Sequence, residues 1–363
     1  MTILHAYSDY FPLVGGIENY ARVLAEAQAA AGHVVRVLCC SRDRRSSVGT
    51  IGGVAIERVG TAMRFRNTPL GPAYGRRLLA QRADIVHLHT PFALGEANAP
   101  RLPPDVPVVI TFHCEPPAGD LFMPRLYGRI HRRALQRAHA IMVTSEALAR
   151  QTPALTPFLA KCRVVPIGTD TRLFRPDGPR PDDPAPLLFV GKPRACKGLD
   201  DLMRALALLP GVRLDIVGDG PELPQVRAWA ETSGVLDRVR FLGELVDQEL
   251  ARRYRGARLL VLPSNCRIET FGIVLIEAMA TGCACLTTEV GTGTSWVVQD
   301  GVTGRVIPPR RPDCLAAVLA ELLADPERLR RMGEAGRERV KQFFTRECMV
   351  NGVEQVYRAC LKT

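Results

Sequence analysis

A chain of 363 residues is long for one core and comfortable for two domains. Hydrophobic residues make up 47% and aromatics 6%, and no apolar run reaches the roughly 18 residues of a membrane span. The net charge of +11 is lopsided: residues 1–175 hold 22 Lys and Arg against 12 Asp and Glu, the remainder 26 against 25, so the first half asks for an acidic partner.

The chain opens on Thr2-Ile3-Leu4-His5-Ala6-Tyr7, a strand with no basic start or apolar signal core, which leads us to expect a cytoplasmic protein. In the first half, apolar runs at 3–7, 34–39, 85–89, 108–112, 141–144 and 163–167 alternate with amphipathic segments. That is the pattern of a doubly wound parallel sheet. Gly15-Gly16 follows the first strand and precedes a helix starting near Ile17 and Glu18. Glycines there let backbone amides approach a phosphate or sugar closely, although a plain tight turn explains them as well. His113 ends the strand at 108–112 and, taken alone, also reads as a capping loop histidine.

Residues 121–137 are apolar, aromatic and cationic at helical spacing, with Leu121, Phe122, Arg125, Arg129, Arg132, Arg133 and Arg137. Such a helix suits an anionic leaflet, each nearby cation contributing about 1 kcal/mol in favourable cases. An ordinary solvated helix over the first sheet fits the pattern equally. No nucleic-acid motif accompanies the basic residues, so nucleic acid is not an expected partner. Residues 175–186, rich in proline and acid, cannot continue a sheet, so 177–186 is the expected linker.

The second half repeats the alternation, with strands at 187–190, 213–217, 240–242, 259–262 and 284–287. Gly191-Lys192-Pro193-Arg194-Ala195-Cys196-Lys197-Gly198 opens it, placing two lysines between a strand and a helix. They suit a diphosphate leaving group. Gly218-Asp219-Gly220 and Gly243-Glu244-Leu245 follow the next two strands. Glu269 then precedes Phe271-Gly272-Ile273, whose amides would sit at a helix start and favour an anion, and Glu277 lies eight residues on, inside that helix. Either glutamate alone also suits a dipole-stabilising or solvated position. The 11 cysteines form no Cys-x-x-Cys pair, and no Asp-x-Asp at a strand end or His/Cys cluster suggests a metal. They suit a reducing cytoplasm.

The Glu269-x7-Glu277 spacing resembles the motif of retaining glycosyltransferases of family 4, and the resemblance extends over nearly the whole chain. It implies the α/β GT-B fold: two Rossmann-like, doubly wound parallel-sheet domains facing an interdomain cleft. The implied boundaries are 1–176 for the acceptor-side domain, 187–341 for the nucleotide-sugar donor domain and 342–363 for a helix crossing back onto the first. It further implies a metal-independent hexosyltransferase with no cofactor, using a nucleotide-diphosphate sugar as co-substrate. By this resemblance, His113 sits by the reacting carbon and Gly15 and Gly16 close over donor diphosphate and acceptor. Lys192 and Lys197, with amides at Phe271, Gly272 and Ile273, stabilise the leaving diphosphate. Glu269 holds sugar hydroxyls, Glu277 the ribose, and Gly218 and Leu245 border the base. Lys192 stands where the family usually carries Arg, which gives up the bidentate fork. The Gly291-Thr292-Gly293-Thr294-Ser295 run resembles members that use GDP-mannose for surface polysaccharides. The basic first half then suggests a lipid-linked glycan acceptor, with an anionic membrane surface as partner and a peripheral position on the inner face of the plasma membrane. A nucleotide-sugar epimerase, a glycan phosphorylase and a non-catalytic nucleotide-sugar-binding scaffold are the competing classes.

Overall fold

The computed structural model describes residues 1–13, 15–65, 68–115 and 124–362. In chain order, the first elements are β1 (Thr2–Ala6), α1 (Gly16–Ala30), β2 (Val34–Cys40), β3 (Ser47–Ile51), β4 (Val54–Val59), β5 (Met63–Phe65), β6 (Thr68–Leu70), α2 (Pro72–Ala80), β7 (Ile85–Thr90), α3 (Ala93–Asn98), β8 (Val108–Phe112), α4 (Pro124–Arg137), β9 (Ala140–Val143), α5 (Glu146–Gln151) and β10 (Cys162–Val164). There follow β11 (Leu187–Val190), α6 (Leu199–Ala207), β12 (Leu214–Val217), α7 (Leu223–Thr232), β13 (Val239–Phe241), α8 (Asp247–Gly256), β14 (Leu259–Leu262), α9 (Ile273–Ala280), β15 (Ala284–Thr288), α10 (Thr294–Val297), β16 (Gly304–Ile307), α11 (Pro312–Ala324), α12 (Pro326–Phe343) and α13 (Arg346–Cys360). None of the described helices is long and apolar enough to cross a membrane.

The chain forms two compact units, Met1–Val165 with Met349–Thr363, and Pro166–Cys348. In the first, eight strands lie in the order β10-β9-β8-β7-β1-β2-β4-β3, all parallel except β3, which is antiparallel to β4. The fully buried β7 and β8 read as unbroken apolar or histidine-bearing runs, as expected for strands covered on both faces. One face of this sheet carries Leu4, Ala6, Val86, Leu88 and Ile110 into a large apolar core. The opposite face carries His5, His87, His89 and Thr111, since side chains alternate along a strand and His5 pairs with His87, and His89 with Thr111. The sequence reading omits β3 to β6. β3 is almost wholly exposed, so burial leaves no apolar alternation to read there.

The second unit holds a six-stranded parallel sheet in the order β13-β12-β11-β14-β15-β16. Four strands, β11, β12, β14 and β15, are buried along their whole length. The chain enters at β11, steps outward to β12 and β13, then crosses back to β14, so loops leaving β11 and β14 diverge. Ligands of open α/β sheets bind at such a switch point, beyond the strands' carboxyl ends.

Two boundaries differ from the sequence expectation. The proline-rich stretch belongs by packing to the second unit, whose division from the first falls at Val165 rather than at 176. Its polar groups are held there: Asp183 takes Arg213 at 2.7 and 2.8 Å and Arg240 at 3.0 Å, and the Pro179 carbonyl accepts Arg255 Nε at 2.8 Å. The helix expected across 342–363 is also broken, since α12 ends at Phe343 and α13 starts at Arg346. Phe344 is buried against Phe271 and Trp296, and its carbonyl accepts the Thr169 amide at 2.8 Å. The Arg346 amide in turn donates to the Thr169 carbonyl at 3.1 Å, after which α13 starts. From Met349 onward α13 packs in the first unit, where Tyr357 hydrogen-bonds His87 at 2.7 Å.

Candidate active site

The expected site residues fall in two groups, each at the carboxyl ends of its own sheet. In the second unit, Lys192 and Lys197 follow β11, Gly218 follows β12, Leu245 follows β13 and Glu269 follows β14. The structure brings Lys197 and Glu269 together: Nζ lies 2.5 Å from Oε2, across the divergence between β11 and β14. Glu269 is further fixed by Ser264 Oγ, which donates to Oε2 at 3.2 Å, and by Thr292 Oγ1, which donates to its main-chain carbonyl at 2.5 Å. The side chains are 20% and 11% exposed, so the pair is partly desolvated yet open to a ligand. Removing one partner from such a pair strands a charge, at a cost of about 3 kcal/mol if the pair is buried and less with residual solvent.

Lys192 is exposed, and its side chain lies against the glycine loop after β12, where a Cβ on Gly220 would meet Lys192 Cγ at 3.0 Å. Gly218 has φ 125, and a Cβ there would come within 2.3 Å of the Gly191 carbonyl. Only glycine lets the β11 and β12 loops approach this closely. The Gly218 amide also donates to the Gly243 carbonyl at 2.8 Å, tying in the loop that carries the partly exposed Leu245.

Gly272 is the N-cap of α9 in the left-handed region, φ 80, and no side chain caps the helix start, leaving first-turn amides open to an anion. Phe271 itself is a core residue, 1% exposed, so its ring serves packing. Ile273 begins the helix. Glu277, one turn on, accepts a 2.8 Å hydrogen bond from the buried Tyr254 hydroxyl. Burial raises the Glu277 carboxyl to about 7, against the opposing effect of the Tyr254 bond.

In the first unit, Gly15 is the extended N-cap of α1 and Gly16 its first residue. A Cβ on Gly16 would meet no atom within 4 Å, whereas one on Gly15 would lie 2.2 Å from the Glu18 carboxylate. That acidic first turn favours a hydroxyl-bearing ligand at Gly15 over a phosphate. His113 is buried beyond β8 and is not a lone loop residue. Its Nε2 lies 3.1 Å from His89 Nδ1, and Tyr20 of α1 packs edge-on at 4.9 Å.

This histidine cluster is what the sequence reading missed. His5, His87 and His89 place one nitrogen each within 4.8 Å of one another, a grouping with the donor set of a metal site. All six of their ring nitrogens are engaged, however: His5 with Gln28 and His89, His87 with Tyr357 and Thr111, His89 with His5 and His113. A metal would break several of these bonds. The available signal was the alternation of His87 and His89 within a buried apolar strand. A cavity of about 460 Å³ between β2, β3 and β4, lined in part by Arg36, Thr50, Glu57 and Gln81, contains none of the expected residues.

Of the cationic segment, residues 121–123 lie outside the described residues. Along α4, Arg125, Leu126, Arg129, Arg132 and Arg133 are exposed, while Tyr127 and His131 turn inward to the buried Glu96 at 2.8 and 2.6 Å. Arg137 does not join the exposed face. Its guanidinium is spent on the Pro103 and Val106 carbonyls at 2.6 and 2.9 Å.

Two α/β units on largely parallel sheets, with polar loops at their strand ends, make up an architecture that the comparisons with known proteins identify as GT-B. A model described as Glycosyl transferases group 1 matches residues 170–339, and one described as Glycosyltransferase Family 4 matches residues 14–173. The O-antigen chain mannosyltransferase C of Escherichia coli is 31% identical over 379 residues, covering 100% of both chains. Among solved structures, the sucrose-phosphate synthase of Thermosynechococcus elongatus aligns with TM-score 0.84, 24% identity and 99% of both chains. Anabaena Alr3699/HepE in complex with UDP-glucose aligns with TM-score 0.77, 18% identity and 100% of both chains. The chain belongs to glycosyltransferase family 4, and it is a hexosyltransferase.

The raised Glu277 carboxyl gives a pH prediction. Were a ribose hydroxyl to donate to the ionised Glu277 carboxylate, nucleotide affinity should rise about tenfold from pH 6 to pH 8. The sign for stability is opposite: a carboxyl raised above its unfolded value makes the ligand-free fold less stable as pH climbs through 7. Titration calorimetry with nucleoside diphosphates tests this, Glu277→Gln being expected to flatten the dependence. A pH-independent affinity in the unsubstituted protein would remove Glu277 from the ribose.

Proposed function

We propose that this protein is a retaining, metal-independent transferase that moves a hexose, mannose favoured, from a nucleotide-diphosphate sugar to a hydroxyl of a lipid-linked glycan. The observation carrying this reading is the Lys197–Glu269 pair at the β11/β14 switch point, beside the uncapped start of α9. A cation and open amides on one side of the scissile bond suit a departing diphosphate. A carboxylate already aligned by Ser264 suits sugar hydroxyls. These groups supply the positive charge without a metal. The preference for mannose rests on the name of the E. coli relative, and the nucleotide-sugar donor on the UDP-glucose bound in the Anabaena protein.

In this reading the C–O bond to the diphosphate breaks as the acceptor oxygen bonds the anomeric carbon from the same face. The leaving phosphate takes the acceptor's proton, so the bond configuration is kept. Lys197, with Lys192, stabilises the charge on that phosphate. His113 stands by the reacting carbon, Gly15 and Gly16 admit the acceptor and donor, Gly218 and Leu245 border the base, and Glu277 takes the ribose.

For the acceptor, the exposed Arg125, Arg129, Arg132 and Arg133 form one cationic face on α4, with Leu126 47% exposed beside them. That face suits the inner leaflet of a plasma membrane, with the protein otherwise cytoplasmic. Charge reversal at Arg125, Arg129 and Arg132 should weaken binding to anionic vesicles, read by sedimentation, about a hundredfold or more, at roughly 1 kcal/mol per cation. Unchanged sedimentation would defeat the membrane part of the reading.

For the chemistry, Glu269→Ala should lower turnover by about a hundredfold or more while the protein stays folded by circular dichroism. The product's anomeric proton coupling should match the donor's configuration. Near-normal turnover of the variant, or an inverted product, would contradict the mechanism.

A further inference from the structure

Gln28, on the inward side of α1 and wholly buried, begins a line of hydrogen bonds that ends on His113. Gln28 Oε1 lies 2.7 Å from His5 Nε2, His5 Nδ1 lies 3.1 Å from His89 Nε2, and His89 Nδ1 lies 3.1 Å from His113 Nε2. Both flanks of the line are closed: Tyr20 sits edge-on to His89 and His113, and His87 lies tilted beside His5 and His89.

Burial drives the three rings toward their neutral forms, His5 to about 4, His113 to about 3 and His89 well below the usual histidine value. A neutral imidazole has one N–H and one lone pair, so each contact in the line needs a donor on one side and an acceptor on the other. One end therefore fixes the whole polarity. The Gln28 carbonyl is an acceptor, which puts the His5 proton on Nε2. His5 Nδ1 then accepts from His89 Nε2–H, and His89 Nδ1 accepts from His113 Nε2–H. His113 is left with Nδ1 as a lone pair.

We propose that Gln28 is a positioning residue: through His5 and His89 its carbonyl sets the tautomer of His113, so that His113 offers Nδ1 as a lone pair to a hydroxyl of the sugar. The functional half rests on the placement of His113 beside the reacting carbon. A neutral acceptor suits that place. It receives a hydroxyl hydrogen bond, and it sets no imidazolium against the positive charge that grows on the sugar ring as the diphosphate leaves.

Long-range proton–nitrogen correlation spectra of the full chain, with His113 assigned through His113→Gln, read the tautomer directly. The expected result is a lone-pair-type shift at His113 Nδ1 and an N–H-type shift at Nε2. Gln28→Met removes the carbonyl while keeping the volume. It should move both His113 nitrogens toward a tautomeric average and lower kcat about tenfold, with KM for the donor sugar within about twofold. Gln28→Glu keeps an acceptor at the same place and should restore the shifts and most of kcat, which a merely packing role would not do. An Nδ1–H signature in the unsubstituted protein would overturn the proposal, since the line would then run the other way. Unchanged His113 shifts in folded Gln28→Met would overturn it as well. Should that variant not fold, the unsubstituted protein and Gln28→Glu still decide the tautomer. Near-normal turnover of His113→Gln would sink the catalytic placement of His113 and leave the tautomer result standing, so the two failures are distinguishable.

Discussion

Lys197 and Glu269 are held against each other by loops that leave two adjacent central strands in opposite directions, and the polar cluster at these strand ends depends on that divergence. In a sheet ordered β13-β12-β11-β14-β15-β16 the chain turns away from β11 on one side and from β14 on the other. The gap between them is a place where backbone from two crossovers frames polar groups without covering them. The 2.5 Å ion pair compensates both charges, while Ser264 holds the carboxylate and Thr292 the main-chain carbonyl of Glu269. Around the pair, Gly218 lets neighbouring loops touch and Gly272 turns the chain into α9.

The first unit applies the same topology to a different chemistry. Its switch point lies between β1 and β7, and the residues facing α1 and α13 there are His5, His87 and His89 rather than aliphatics. A polar group buried in a sheet must find a partner or lose about 1–3 kcal/mol. Here the histidines satisfy one another in a line closed by Gln28, while His87 is satisfied separately by Tyr357 and Thr111. The C-terminal helix thus matters to the first unit beyond packing, because Tyr357 is one of those partners. Glu277, His5 and His113 are all shifted by burial in the direction that disfavours charge.

Much of this was legible in the sequence because buried parallel strands are short unbroken apolar runs. The runs at 108–112, 187–190 and 259–262 coincide with β8, β11 and β14 to the residue. Glu269 and Glu277 were legible for the same reason: their spacing brackets a helix start between two such strands. What was hidden depends on three dimensions. The exposed β3 has no burial to shape its pattern, and the break at Phe344 answers to an aromatic cluster drawn from Phe271 and Trp296. Arg137 looked like one more surface cation but is consumed by the Pro103 and Val106 carbonyls. His113 looked solitary because its partner, His89, stands 24 residues away on the neighbouring strand.

The Lys197–Glu269 pair is the proposed donor-phosphate and sugar site. Its most direct test is the thermal unfolding of the purified protein, without added metal, against GDP, UDP, ADP and dTDP and their sugars, repeated on Lys197→Ala. A ligand that binds only the folded state raises its stability with the logarithm of saturation, by about 2.7 kcal/mol at a hundredfold excess over Kd. The account predicts that one nucleotide family raises Tm in the unsubstituted protein and that most of this shift is lost in Lys197→Ala. No shift with any nucleotide, or an equal shift in the variant, would contradict it.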